Sequence, residues 1–419
     1  MDIRPRFFYG WVIIAAAFVP NLVYPAVHFS FGTYFESLTR EFGVDRGTVS
    51  LVFSLTPLLY FGLGAITGPL TDRFGPRVLC GVGAVLYLAG LTLASRATAI
   101  WQVYLTYSLF VGAAVGASYV PSLSTVQRWF VRRRALAAGL VASGSGVGTV
   151  VGPAFSIWLI QEHGWRTAYF VSGLVAAALV GLAAWFLIRS PADLGQAPDG
   201  GPVGTERTPA ARRAAADLTV REAIRTRPFI WLFIAQGFTT LPLYIGLVHL
   251  VPFARDAGLD PDTAALGLAA IGAGSTVGRL GLGSFADRWG RRRSYALTMV
   301  ATAVMMAVWI VLPVTQVWAL LLFGFAFGTA YGGFVALSAV VMPDYFGTSY
   351  VSGLIGVFYT AAGIGGLIGP WLAGGVFDRT GYYQPAILFG AATATIGAVL
   401  VARLPDPAQA QARYVRSRA

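Results

Sequence analysis

An arginine, Arg279, stands inside an otherwise apolar run, ahead of the charges that close it in the segment "STVGRLGLGSFADRWGRRR" (Ser275 to Arg293). It lies eight residues before Asp287, about 12 Å along a helix. A guanidinium at the centre of a membrane span costs ~2.5–3.5 kcal/mol. Two roles fit it. The side chain can snorkel to the nearer surface, or it can hold an anion, because guanidinium and carboxylate match as a two-bond fork. No Asp or Glu lies deep in another apolar run to neutralise it permanently, which favours the anion.

A second pattern occurs twice. "GPLTDRFGPR" (Gly68 to Arg77) and "GSFADRWGRR" (Gly283 to Arg292) each close an apolar run. Asp72 and Asp287 end the runs, and Arg73, Arg77, Arg288, Arg291 and Arg292 follow in tight turns. A carboxylate there can pair with the arginines and with the N-terminus of a neighbouring helix. Such a cluster can hold one side of a helical assembly shut and release it when its parts move. The plainer alternative is an arginine-rich loop that only sets topology, and two copies at matching positions favour the gate. Tyr119 and Tyr331 also recur in register, each closing a G-x3-G-x2-Y pattern with Gly112 and Gly116 or with Gly324 and Gly328. They are candidates to present two hydroxyls to one anion, with aromatic packing as the alternative; Tyr359 is a further candidate.

Elements that can position these residues follow from composition. Of 419 residues 56% are hydrophobic and only 11% charged, with a mean hydropathy of +0.67; soluble domains carry roughly 25% charge. Twelve apolar runs, near 8–35, 47–71, 77–95, 100–127, 134–161, 166–188, 228–254, 261–286, 293–312, 315–343, 350–377 and 383–403, are long enough to cross a bilayer. The expectation is an all-α membrane protein of twelve transmembrane helices. "GTVVGP" ending at Pro153 and "GGLIGP" ending at Pro370 add a third repeated motif, so two pseudo-symmetric six-helix bundles are expected, over 1–188 and 228–419. The segment 189–227 between them starts Pro- and Gly-rich, which predicts flexibility. It ends with Thr219 and Glu222 at capping-box spacing, which predicts a short surface helix. In such duplicated architectures the substrate binds near the midplane, between the halves.

The net charge of +12 does not point to nucleic acid. All 30 cations are arginines; 23 fall in the termini, the central segment and alternate loops, and six in the opposite loops. That asymmetry puts both termini in the cytoplasm and the protein in a cell (inner) membrane. The single Cys80 excludes an internal disulfide, and His28, His163 and His249 lie too far apart for metal-ligand spacing. No cofactor, metal or catalytic constellation is expected, so the chain reads as no enzyme. "MDIRPRFF" leads into a run too long for a signal-peptide core, which is taken as the first span.

The paired Asp–Arg loops resemble the signature of the major facilitator superfamily, along nearly the whole chain; Pro76 departs from it where a basic residue is common. Within span five, "WFVRRRALAAGLVASGSGVG" (Trp129 to Gly148) is similar to the monocarboxylate transporter signature, with Phe130, Arg133, Arg134, Leu136, Ala137, Gly139, Gly144 and Gly148 in place. Trp129, Arg132 and Val141 depart from it. "FYGW" (Phe8 to Trp11) and "HLVPFARDAGLD" (His249 to Asp260) are similar to bacterial members, including relatives of the oxalate–formate exchangers. The resemblance implies alternating access, with Arg279 binding a substrate anion. The exchangers add a cation in span eleven, and "YVSGLIGVFYTAAGIGGLIGP" has none, so a monocarboxylate such as lactate or pyruvate is favoured over a dicarboxylate.

Coupling departs from the animal relatives. Their acid one turn before the arginine is Ser275 here, and their span-one lysine falls on Phe29, beside His28. His28 is therefore a proton-carrier candidate with Arg279, or else a helix–helix hydrogen-bond partner; His249 and Asp256 stand nearer the outer end of span seven. The expected partners are a small monocarboxylate, a proton and the lipid bilayer, with the monomer as the working unit. The rival reading is a carboxylate exchanger of the formate or oxalate kind, and a non-transporting carboxylate sensor stands behind it.

Overall fold

The computed structural model describes residues 7–44, 46–200 and 217–418. Among them there are helices and turns and no strand. In chain order the long helices are α1 (Gly10–Phe42), α2 (Arg46–Phe74), α3 (Pro76–Ser95), α4 (Ile100–Trp129), α5 (134–163), α6 (165–186), α7 (Arg227–Asp256), α8 (Pro261–Trp289), α9 (Arg291–Ile310), α10 (Val317–Phe346), α11 (Val351–Thr380) and α12 (Gln384–Ala402). Helices α5 and α6 run on as one, Arg134–Phe186, broken only at Gly164, whose φ of 76° and ψ of 163° are open to glycine. Among the described residues eleven helices are long and apolar enough to span a bilayer, or twelve when Arg134–Phe186 is divided at that break. A thirteenth, α13 (Pro407–Arg418), lies in the tail, where no helix was expected.

The chain divides into two compact units. One comprises Met1–Asp217 with Thr348–Val357, the other Leu218–Gly347 with Phe358–Ala419. The repeated glycines explain how each is packed. In the first unit Gly148 and Gly152 of α5 lie against the Leu22 and Ala26 carbonyls of α1. In the second, Gly365 and Gly369 of α11 lie against the Gly237 and Leu241 carbonyls of α7. A methyl at any of the four would overlap the facing backbone, so glycine lets two helices touch where lipid offers no hydrophobic drive. The G-x3-G pairs act likewise. Gly112 and Gly116 seat α4 on α2 at Thr56 and Tyr60, and Gly324 and Gly328 seat α10 on α8 at Gly267 and Ile271.

The described ends of the central segment, 189–200 and 217–227, are tied to the helices beside them. Ser190 and Asp193 form a capping box on a turn at Pro191–Leu194, and a second turn follows at Pro198–Gly200. Asp199, held at φ 56°, accepts from the amides of Val131 (3.0 Å) and Arg132 (2.8 Å) in the turn leading into α5. Asp217 does the same ahead of α11, accepting from the amides of Thr348 (3.1 Å) and Ser349 (2.9 Å). The two turns match at the 217-residue offset of the repeat. The stretch 201–216, part of the expected flexible region, lies outside the described residues. Thr219 and Glu222 close their capping box on a one-turn helix, Val220–Ala223. "FYGW" and the "WF" pair, distant in sequence, meet through Phe8 on Trp129 and Phe130 and Trp11 on Phe130.

Candidate functional site

Arg279 sits on α8 where that helix meets α10 most closely. Gly278 lies against the Thr329 carbonyl, and Gly332 against that of Ser275; neither position has room for a Cβ. The close approach brings the guanidinium carbon to 5.6 Å from the Tyr331 ring centre, a cation–π contact. Arg279 is only 4% exposed. Among the described residues no carboxylate pairs with it, and its Nε has no hydrogen-bond partner. A buried guanidinium with an unmet donor and no counter-charge beside it has the chemistry to take an anion. One turn earlier Ser275 is also buried, its hydroxyl without a partner. That residue escaped the sequence reading as a ligand, because a serine on an apolar helix carries no signal until its bonds are counted.

The structure brings Arg279 and Tyr331 together. Tyr359, also in the second unit, shares a hydrogen bond of 3.1 Å with Ser338. Tyr119 and His28 belong to the first unit, in an aromatic cluster on α1, α2 and α4. Tyr119 meets Tyr24 edge to face, and the Tyr24 and Tyr60 hydroxyls are 2.7 Å apart. The His28 ring lies flat on Phe53, with centres 4.2 Å apart, and borders Tyr24; its Nδ1 has no partner. His249 on α7 is part-buried: its Nε2 donates to the Pro370 carbonyl (3.0 Å) and its Nδ1 faces the Tyr383 hydroxyl (3.4 Å).

The Asp–Arg loops are placed differently from each other. Asp72, 8% exposed, accepts from the amides of Ser352 (3.2 Å) and Gly353 (2.8 Å) in the first turn of α11. Its ion-pair partner is Arg128, at the end of α4, and neither of the adjacent arginines. Arg73 lies over Phe74, while Arg77 donates to the Trp185 carbonyl (2.7 Å). Asp287 pairs with Arg291 (2.9 Å), which also reaches Asp344 (3.0 Å) near the end of α10. Arg292 donates to the Leu404 carbonyl, and Arg288 sits in the last turn of α8. Arg128 and Asp344 are thus members of these clusters that spacing along the chain did not reveal. They come from other helices and meet the motif only when the fold forms.

Comparison with known proteins gives consistent results. Residues 8–280 and 243–417 match the family model described as Major Facilitator Superfamily. Monocarboxylate transporter 13 of Bos taurus is 28% identical over 401 residues, spanning 95% of this chain and 89% of that protein. Monocarboxylate transporter 4 of Gallus gallus is 28% identical over 404 residues, 94% and 82% of the two chains. In fold the chain resembles the proton:xylose symporter XylE, with a TM-score of 0.73 at 13% identity over 93% of this chain and 94% of that one.

Proposed function

The chain belongs to the Major Facilitator Superfamily, a family of multi-pass membrane transporters, and from that membership we propose that it carries small monocarboxylates of the lactate and pyruvate kind together with protons, by alternating access. One observation carries the reading: Arg279, buried and cationic, has no carboxylate of the protein beside it among the described residues. The names of its relatives, monocarboxylate transporters, supply the substrate class. One deep guanidinium matches one carboxylate. Tyr331 lies against that cation, and Tyr119 and Tyr359 complete the proposed set of hydroxyls.

Proton coupling rests on energetics. A transported anion works against an inside-negative potential at ~2.3 kcal/mol per 100 mV, roughly a 50-fold penalty on accumulation. A co-transported proton cancels it, and so does exchange for another anion. His28, with Arg279, is proposed to couple the proton, and His249 is the weaker candidate. The Asp72 cluster is the proposed cytoplasmic latch, joining α2, α4 and the first turn of α11; Asp287, Arg291 and Asp344 form its counterpart. Both termini are placed in the cytoplasm on arginine distribution, in a cell (inner) membrane.

Labelled lactate uptake into proteoliposomes tests this. Uptake driven by an inward proton gradient, and lost in His28→Gln or His249→Gln, is the expected outcome. Uptake indifferent to the gradient but stimulated by carboxylate loaded inside would replace symport with exchange.

A further inference from the structure

We infer that the Ser275 hydroxyl is a second recognition group of the anion site, reading the oxygen on the carbon next to the substrate carboxylate, so that the site selects 2-hydroxy and 2-oxo acids over unsubstituted short acids. The inference rests on the reading of Arg279 as the carboxylate clamp.

Three observations support it. Ser275 is 3% exposed, and its Oγ has no hydrogen-bond partner among the described residues. Serine and threonine in helices ordinarily bond back to the carbonyl four residues earlier. Thr276 does so on the same helix, to Gly272 (3.3 Å), and Ser284 to Leu280 (3.1 Å). The carbonyl that Ser275 would use, that of Ile271, lies against Gly328 of α10, and the Ser275 hydroxyl makes no bond to it. Its hydroxyl is left unmet in a place where an unmet hydroxyl is costly.

Position supplies the rest. Ser275 and Arg279 are one turn apart on one helix face, with Cβ atoms about 5–6 Å from each other. Gly332, the neighbour of Tyr331, packs against the Ser275 backbone, so the three side chains belong to a single α8–α10 contact. Two unmet groups, one cationic donor and one hydroxyl, stand a turn apart. A short acid with an oxygen on its second carbon can satisfy both at once, its carboxylate on the guanidinium and its second oxygen on the serine. A hydroxyl both donates and accepts, so a 2-oxo oxygen and a 2-hydroxyl are served equally. Propionate leaves Ser275 unmet, and a site built around a hydrogen bond discriminates against the analogue that lacks it.

The test compares uptake of labelled lactate, pyruvate and propionate in proteoliposomes, read as the ratio of kcat/KM for lactate to that for propionate. In Ser275→Ala the ratio is expected to fall about tenfold, pyruvate following lactate and propionate staying within twofold of the parent. Ser275→Thr, which keeps the hydroxyl, restores the ratio. An unchanged ratio in Ser275→Ala, whether all three acids fall together or none does, overturns the assignment. Arg279→Gln is run alongside: loss of all three acids leaves the clamp standing whatever Ser275 does, and retention of all three removes the clamp and this inference with it.

Discussion

Asp72 is where a single atom change has the most to disturb. Its carboxylate is 8% exposed and holds two amides of α11 together with the guanidinium of Arg128, itself equally buried. In Asp72→Asn one of the two accepting oxygens becomes an NH2 that faces an N–H donor, and the charge that compensates Arg128 is lost. Breaking a buried ion pair from one side costs about 3–5 kcal/mol. Taking the lower figure, at 1.4 kcal/mol per tenfold, the ratio of latched to unlatched molecules falls by a factor of about 100. Ser124 reports it. Its hydroxyl is fully buried and 2.8 Å from that of Ser352, the residue whose amide Asp72 accepts. A Ser124→Cys side chain, probed with an impermeant thiol reagent on inside-out vesicles, should be modified ~100-fold faster in the Asp72→Asn background. The native Cys80, buried near the start of α3, is the internal control. Equal labelling of Ser124→Cys in both backgrounds, within twofold, would refute the latch. A parallel rise at Cys80 would assign the effect to unfolding instead. Replacing both partners, as Asp72→Asn with Arg128→Met, should return labelling toward the parental rate, because no uncompensated charge then remains.

Other perturbations follow from the same packing. Gly332→Ala places a methyl on the Ser275 carbonyl and forces α8 from α10; lactate uptake should fall at least tenfold, in line with the ~100-fold cost of a 1 Å misplacement, with protein still recovered in the membrane. Asp217→Asn and Asp199→Asn each weaken charge-assisted bonds to two backbone amides. Each should cost about 1 kcal/mol, and the two Tm shifts should be similar because the turns occupy matching places in the repeat. Gly164→Ala meets a φ of 76° that an L side chain rarely adopts, and should destabilise by about 1–3 kcal/mol, read as lowered Tm.

The twelve spans were legible because apolar runs set their own length, and their ends agree with the helices to within a few residues except at α1. That helix runs on through charged residues to Phe42 before Gly43 closes it in the left-handed conformation. The duplication was legible through glycines, whose spacing is dictated by backbone contacts that only glycine permits. Arg279 was legible because a cation in an apolar run needs a reason. What stayed hidden depends on groups far apart in the chain. Arg128 reads as one more cation in a basic loop until α4 carries it beside Asp72. Asp344 likewise looks like a loop acid until Arg291 bridges it to Asp287. The contacts of Asp199 and Asp217, which tie the two ends of the central segment to the turns ahead of α5 and α11, were hidden too; carboxylates that cap distant amides leave no periodic trace. Ser275 was visible as the place where the relatives' acid is missing, but its unmet hydroxyl is known only once the bonds of the folded chain are counted.

The central claim is that Arg279 holds the substrate carboxylate, and equilibrium binding of labelled lactate to the purified protein tests it without any assumption about coupling or direction. Arg279→Gln keeps the length and some hydrogen bonding while removing the charge and the fork. The account predicts that saturable binding falls at least tenfold in the variant, with Tm close to the parent, because a charge-assisted bond is worth about 1.5–3 kcal/mol. Lactate bound by Arg279→Gln with undiminished affinity would contradict it, and would leave the arginine as a buried cation lying against Tyr331.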